Sequence, residues 1–160
     1  MQEIRITTKD EKIIKINILY TLQSKVLKSL LGWDELSEDE CLENDTSDIQ
    51  LPLDITEKTM NNIITYFDKH FSSKDDNHQD DLNEWDKNYI DNFKDDDLFD
   101  LIKGANYLDI KDLLDLSCKK VADEIKKCNT PQEIRRRFNI KNDFTPEEED
   151  EILKDNLWSE

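Results

Sequence analysis

The sequence predicts an α+β fold, and three observations carry that prediction. Near the start, Ile4 and Ile6, then Ile14 and Ile16, alternate with polar residues around TKDEK, the period of a two-stranded hairpin. From about Leu98 onward the apolar residues instead recur at helical spacing. Near the end two Thr-Pro-x-Glu signatures, Thr130 to Glu133 and Thr145 to Glu148, each place Thr at an N-cap, Pro at N1 and Glu at N3. The chain is thus mixed first and all-helical second: one α+β domain with a C-terminal helical extension.

The elements follow in order. After the hairpin, Ser24 to Trp33 reads as a short amphipathic helix with Val26, Leu27, Leu30 and Leu31 on its apolar side. Asp34 to Asp48, with eight acids and no base, reads as an acidic loop. IQLPLDI is a short strand that Pro52 confines to an edge or an end. Thr56 can cap a helix reaching to about Phe71, with Met60, Ile63, Ile64 and Phe67 on one face. The segment at about 72–84 has the composition of a flexible acidic loop. Two apolar stripes then define consecutive helices: Leu98, Leu101, Ile102, Ala105 and Leu108, and Ile110, Leu113, Leu114, Cys118, Val121, Ala122 and Ile125. The two capping boxes start the last two helices. On this reading a core domain occupies residues 1–127 and an extension residues 128–160.

Composition narrows the function. A formal charge of −17 disfavours nucleic acid or an anionic membrane as partner, because both would repel the chain. No apolar run approaches twenty residues, and MQEIRITTKDEK has no signal-peptide core. Cys41, Cys118 and Cys128 form no Cys-x-x-Cys pair, and Cys118 falls on an apolar helix face as a small core residue. A reducing compartment, cytoplasmic and nuclear, is the expectation.

Catalytic patterns do not emerge. Two glycines, Gly32 and Gly104, cannot make a phosphate loop or a dinucleotide fingerprint. The Asp-rich runs lack the glycine an EF-hand loop needs at its sixth position. His70 and His78 have no nucleophile or acid at an informative spacing. The expectation is a non-enzyme with no metal and no cofactor.

Surfaces are more informative. On the helix around Leu98 to Leu108, Phe99 and Asn106 share a second face, with Lys103 beside them and Tyr107 further round. That face either closes a wide core or forms an aromatic docking patch; the pattern alone admits both. The ending DFTPEEEDEILKDNLWSE carries eight acids and one base, yet keeps Phe144, Ile152, Leu153, Leu157 and Trp158. Disordered solvating tails lack large apolar residues, and so few cannot hold a lone helix in water. With Phe138 and Ile140 they call for a partner surface, and a free chain would cover them by self-association or leave them mobile.

LFDLIKGANYLDIKDLLDLSCKKVADEI, followed by TPQEIRRRFNIKNDFTPEEEDEI and DNLWSE, resembles the Skp family, the S-phase kinase-associated adaptors of SCF ubiquitin ligases. The likeness is nearly continuous from Trp85 to Trp158, with weaker echoes in IQLPLDI and ITYFDKH. It implies a BTB/POZ domain, a small N-terminal sheet with helices, plus two C-terminal F-box-binding helices. It implies a chain that bridges a cullin to F-box substrate receptors for ubiquitin-dependent degradation. Carried over by residue, the cullin-facing set is Asn106 and Tyr107, with Phe99 on the same helix. The F-box-facing set is Phe138, Ile140, Lys141, Asn142, Asp143, Phe144 and Trp158, joined by Ile152 and Leu153 of the tail. In some protist relatives with the same FTPEEE context, the proline is 4-hydroxylated and then glycosylated. Pro146 is therefore either such a site or, like Pro131, simply a helix start. Gly104 stands where an alanine is usual, which implies a softer helix, since glycine costs roughly 1 kcal/mol against alanine in a helix interior. Two rivals make different demands. An elongin C-like adaptor of the same fold would lack the extension from Phe144 to Trp158. An acidic nucleic-acid mimic would need a rigid acidic face, whereas the acids here lie mainly in loop-like runs.

Overall fold

A computed structural model describes residues 3–36, 40, 50–72 and 79–157. The chain divides into two compact units, Met1–Ala122 and Asp123–Glu160. The break falls five residues before the one expected after residue 127, and inside a continuous helix.

In the first unit, β1 (Glu3–Thr7) and β2 (Ile13–Asn17) pair antiparallel, with Ile4 opposite Ile16 and Ile6 opposite Ile14. The alternation puts these isoleucines on one face, against the core. β3 (Gln50–Pro52) runs parallel to β1 on its other side, giving the order β2-β1-β3. Pro52, which has no N–H for a ladder, accordingly sits on an edge strand. Asp10 in the hairpin turn accepts from the Thr8 hydroxyl at 2.6 Å and from the Glu57 N–H at 3.0 Å. One carboxylate thus joins the turn to the start of the next long helix. These hydrogen bonds, the Thr8 one foremost, hold the Asp10 carboxyl below its ordinary value.

Two short helices are defined among the described residues that follow β2. α1 (Ile18–Thr21), a single turn capped by Asn17, has no counterpart in the sequence reading. α2 (Lys25–Leu30) is shorter than the expected Ser24–Trp33. Gly32 ends it at φ +72°, with the Trp33 N–H reaching back to the Lys28 carbonyl at 2.9 Å. Leu27 is buried, but Leu30 faces outward rather than joining the apolar side. The Ser24 hydroxyl caps the Leu27 N–H at 3.2 Å and donates to the Leu108 carbonyl at 2.6 Å, tying α2 to the far end of the chain's core. Most of the expected acidic loop at 34–48 lies outside the described residues.

α3 (Glu57–Ser72) starts at Thr56, whose hydroxyl accepts from the Thr59 N–H at 3.3 Å, and buries Met60, Ile63, Tyr66 and Phe67. α4 (Gln79–Asp91) corrects the expected flexible loop at 72–84: Ser72 closes α3, and residues 79–84 are the first turns of a helix. Asp80 and Asp81 suit the positive end of a helix macrodipole, and Leu82 is buried, so the polar composition hid an anchored element. Residues 73–78 of that segment lie outside the described residues. An aromatic ladder runs between α3 and α4: Tyr66 lies 3.9 Å from His70, Trp85 stacks on Tyr89 at 4.8 Å, and Tyr89 meets Phe93 at 5.0 Å. His70 Nε2 and Asp86 Oδ1 are 2.8 Å apart, and the Tyr89 hydroxyl donates to the Asn62 carbonyl at 2.8 Å. Burial raises the pKa of both Tyr66 and Tyr89 above the ordinary tyrosine value.

α5 (Asp95–Tyr107), α6 (Lys111–Lys126) and the turn between them complete the core with Leu98, Leu101, Ala105, Leu108, Ile110 and Leu113. Cys118 is a second correction: it is exposed, not core. Ser117 holds the buried position, its hydroxyl donating to the Leu113 carbonyl at 2.7 Å, and one further residue turns Cys118 by about 100° towards water. The second unit contains the end of α6, then α7 (Pro131–Arg137) and α8 (Pro146–Leu157).

Two candidate partner-binding faces

The first face is carried by α5. Its register is fixed by the buried stripe Leu98, Leu101, Ala105, which leaves Lys103, Asn106 and Tyr107 exposed, Tyr107 at 41%. The helix stops just beyond them. Asp109 adopts φ +50°, the Ile110 N–H bonds the Ala105 carbonyl at 2.9 Å, and the Asp109 N–H bonds the Asn106 carbonyl at 3.2 Å. This double bond pattern satisfies the last carbonyls and presents Asn106 and Tyr107 at a rigid helix end. Beside them opens a concavity of about 440 Å³, with Thr56 and Thr59 of the α3 start, Ile55, Gly104, Asn106 and Tyr107 in its walls. The ion pairs Lys9–Asp54 at 3.0 Å and Lys103–Asp100 at 3.1 Å belong to residues of its rim. Phe99, expected on the same face, is half-buried and does not line this concavity.

Gly104 has a use here other than softness. It is buried, and a Cβ built on it would stand 2.8 Å from Thr59 Cγ2 and 3.1 Å from Ile63 Cδ1. The missing side chain is what lets α5 seat on α3. Thr59 in turn shares a 3.0 Å hydrogen bond with Thr56, the cap of α3. The glycine therefore belongs to the support of this face.

The second face belongs to the second unit. Both Thr caps form: the Thr130 hydroxyl accepts from the Glu133 N–H at 3.2 Å, and the Thr145 hydroxyl from the Glu148 N–H at 3.3 Å. Glu148 returns the bond to the Thr145 N–H at 2.8 Å, whereas Glu133 reaches one residue further, to the Asn129 N–H at 2.7 Å. α7 ends as α5 does: Asn139 sits at φ +51° and the Ile140 N–H bonds the Arg135 carbonyl at 2.8 Å. Beyond that turn Ile140, Phe144, Ile152 and Leu153 are 53%, 46%, 42% and 49% exposed, so their apolar surface is uncovered in the single chain. Lys141, Asn142, Asp143 and Pro146 are exposed as well, and Phe138 is half-buried under the Arg137 guanidinium at 5.8 Å. Trp158 lies outside the described residues.

Sequence reasoning missed two residues of this face. Arg135 and Glu149 form an ion pair at 2.8 Å, and Arg135 also lies 5.6 Å from the Phe144 ring centroid. The basic run Arg135 to Arg137 was visible, but the partner of each arginine depends on how the chain turns at Asn139. A glutamate at the start of a helix after an exposed aromatic was the available signal.

Helix ends and uncovered aromatics on two faces define a module built to present surfaces to other proteins. The family model described as "Skp1 family, dimerisation domain" matches residues 111–159. SKP1-like protein 1A of Arabidopsis thaliana is 36% identical over 99% of this chain and 97% of its own length. The SCF ubiquitin ligase complex protein SKP1b of Dictyostelium discoideum is 36% identical over 100% of this chain and 97% of its own length. A Skp1-related protein of Caenorhabditis elegans is 38% identical over 99% and 92%. The chain belongs to the Skp1 family, and its α+β architecture is the one the sequence predicts.

Proposed function

We propose that this chain is the non-enzymatic adaptor of an SCF ubiquitin ligase, bridging a cullin scaffold to F-box substrate receptors. The end-to-end match to a relative named as an SCF ubiquitin ligase complex protein carries the reading. The cullin contacts Asn106 and Tyr107 at the end of α5, with Phe99 on the same helix. The F-box covers Phe138, Ile140, Lys141, Asn142, Asp143, Phe144, Ile152, Leu153 and, beyond the described residues, Trp158. The exposure of Ile140, Phe144, Ile152 and Leu153 on the second unit supports that assignment, since bare patches of this kind mark interaction sites. Titrating one preparation against a cullin N-terminal fragment and an F-box domain tests it. Tyr107→Lys should lose the first partner, and Phe144→Ala the second. Loss of neither, or of both together, would sink the two-face reading.

In the absence of an F-box, the same apolar residues pair with a second copy of the chain. The family model described as a dimerisation domain covers the segment that bears them. An F-box domain should then dissociate the dimer in sedimentation. Pro146, exposed at the first position of α8 where its missing N–H costs no helical bond, is accessible to hydroxylation and glycosylation. Intact mass of the native protein against Pro146→Ala decides this; an unmodified mass in well-oxygenated cells would overturn it.

A further inference from the structure

The second unit has no fully buried side chain among its described residues. Apolar packing therefore does little to fix Phe144, and the polar contacts around it carry the order. Glu149 Oε1 accepts from Arg135 Nη1 at 2.8 Å and from Asn142 Nδ2 at 3.0 Å. Asn142 Oδ1 accepts in turn from the Phe144 N–H at 3.3 Å. The Arg135 guanidinium also lies over the Phe144 ring, 5.6 Å from its centroid. One end of this chain of contacts holds the Phe144 backbone and the other holds its ring.

Its placement makes it effective. Arg135 lies in the last turn of α7 and Glu149 in the first turn of α8, so each charge also suits its own helix dipole. The pair spans the turn between the helices, and its side chains are only 22% and 31% exposed. A half-buried pair is screened less by salt than an open one. A planar guanidinium can meet a carboxylate and a ring face at once, which a lysine cannot do equally well. Arg135, Phe144, Glu149, Ile152 and Leu153 stand together in the walls of a concavity of about 190 Å³.

We propose that Arg135 and Glu149 are positioning residues of the F-box face. They hold Asn142 and Phe144 in the receiving geometry before the partner arrives, so that less ordering remains to be done on binding. The proposal rests on the F-box reading given above.

The test uses the full-length chain, a purified F-box domain as probe, and hydrogen exchange on the free chain. Arg135→Met keeps the apolar stem and removes the guanidinium; Glu149→Gln keeps an acceptor and removes the charge. Each should weaken F-box binding about tenfold, and the double variant no more than about twofold beyond either, because both disrupt one linked unit. Exchange at the Phe144 amide of the free chain should rise in both, while cullin affinity stays within about twofold, showing that the first unit is intact. Arg135→Lys should fall between wild type and Arg135→Met. Affinities like wild type, or losses that multiply in the double variant, would overturn the proposal. If the F-box domain fails to bind wild type, the partner reading falls instead. The Phe144 exchange then decides the clamp, unchanged rates overturning it.

Discussion

Among the described residues, every buried apolar side chain lies between Ile4 and Leu113, in the first unit; the second unit has none. The first unit fixes its helices by burying one face of each, and its candidate binding residues are what remain on the outside. The second unit fixes its helices by their ends: two threonine N-caps, a left-handed stop at Asn139 and the Arg135–Glu149 pair. Ile125, Ile140, Phe144, Ile152 and Leu153 stay exposed. A helix of twelve residues such as α8 is marginal in water without packing. The lesson is a division of labour: one unit buries the apolar face of its helices, while the other leaves much of its apolar surface uncovered in the single chain.

The sharpest way to break that comparison is to truncate one large side chain in each unit. Phe67→Ala removes a fully buried ring and should cost roughly 3–5 kcal/mol in urea unfolding. Ile152→Ala should change the stability of the chain by less than about 0.5 kcal/mol when measured at concentrations dilute enough to keep it monomeric, since its side chain is exposed in the single chain. Equal losses would mean that the second unit has a core after all. Next in size, Tyr107→Lys should weaken cullin binding by roughly 1.5–3 kcal/mol and leave F-box affinity and melting temperature nearly unchanged.

Thr145→Ala removes one half of the second capping box and should cost α8 about 1 kcal/mol. Faster amide exchange confined to α8, at unchanged global stability, is the expected signature. Gly104→Ala sets two effects against each other. Helix propensity gains roughly 1 kcal/mol, but overpacking against Thr59 costs roughly 1–3 kcal/mol. A small net loss is expected, and Thr59→Ser, which removes the methyl that the new Cβ meets, should recover it in the double variant.

The smallest effect is a pH dependence. The Asp10 carboxyl has a folded pKa below its ordinary value of 3.8, so its contribution is fully present above that value. It is lost as pH falls through the lowered folded value. Asp10→Asn should therefore melt slightly lower than wild type at neutral pH, and the two should converge as the pH drops below about 3.8. A difference that grows in acid would contradict the cap.

Much of the fold was legible because its signals are local. The hairpin shows in the two-residue period of Ile4, Ile6, Ile14 and Ile16, and the last two helices show in their Thr-Pro starts. What stayed hidden depends on partners distant in sequence. The start of α4 reads as polar loop until Leu82 has a core to enter. Cys118 and Ser117 are equally small, and only the packed register decides which faces inward. The two faces were legible in part. Tyr107 and Phe144 stand out as aromatics without a helical stripe to join, but the Arg135–Glu149 pair needed the turn at Asn139 to bring its members together.

The close seat of Gly104 on Thr59 has a consequence for how this lineage can change. The two positions lie 45 residues apart in sequence but form one steric unit, because a Cβ at 104 and a methyl at 59 compete for the same space. A relative that carries alanine at the first position should carry a smaller residue at the second, or hold α3 and α5 further apart. Substitutions there would be accepted in pairs, with the threonine methyl lost before the glycine is replaced.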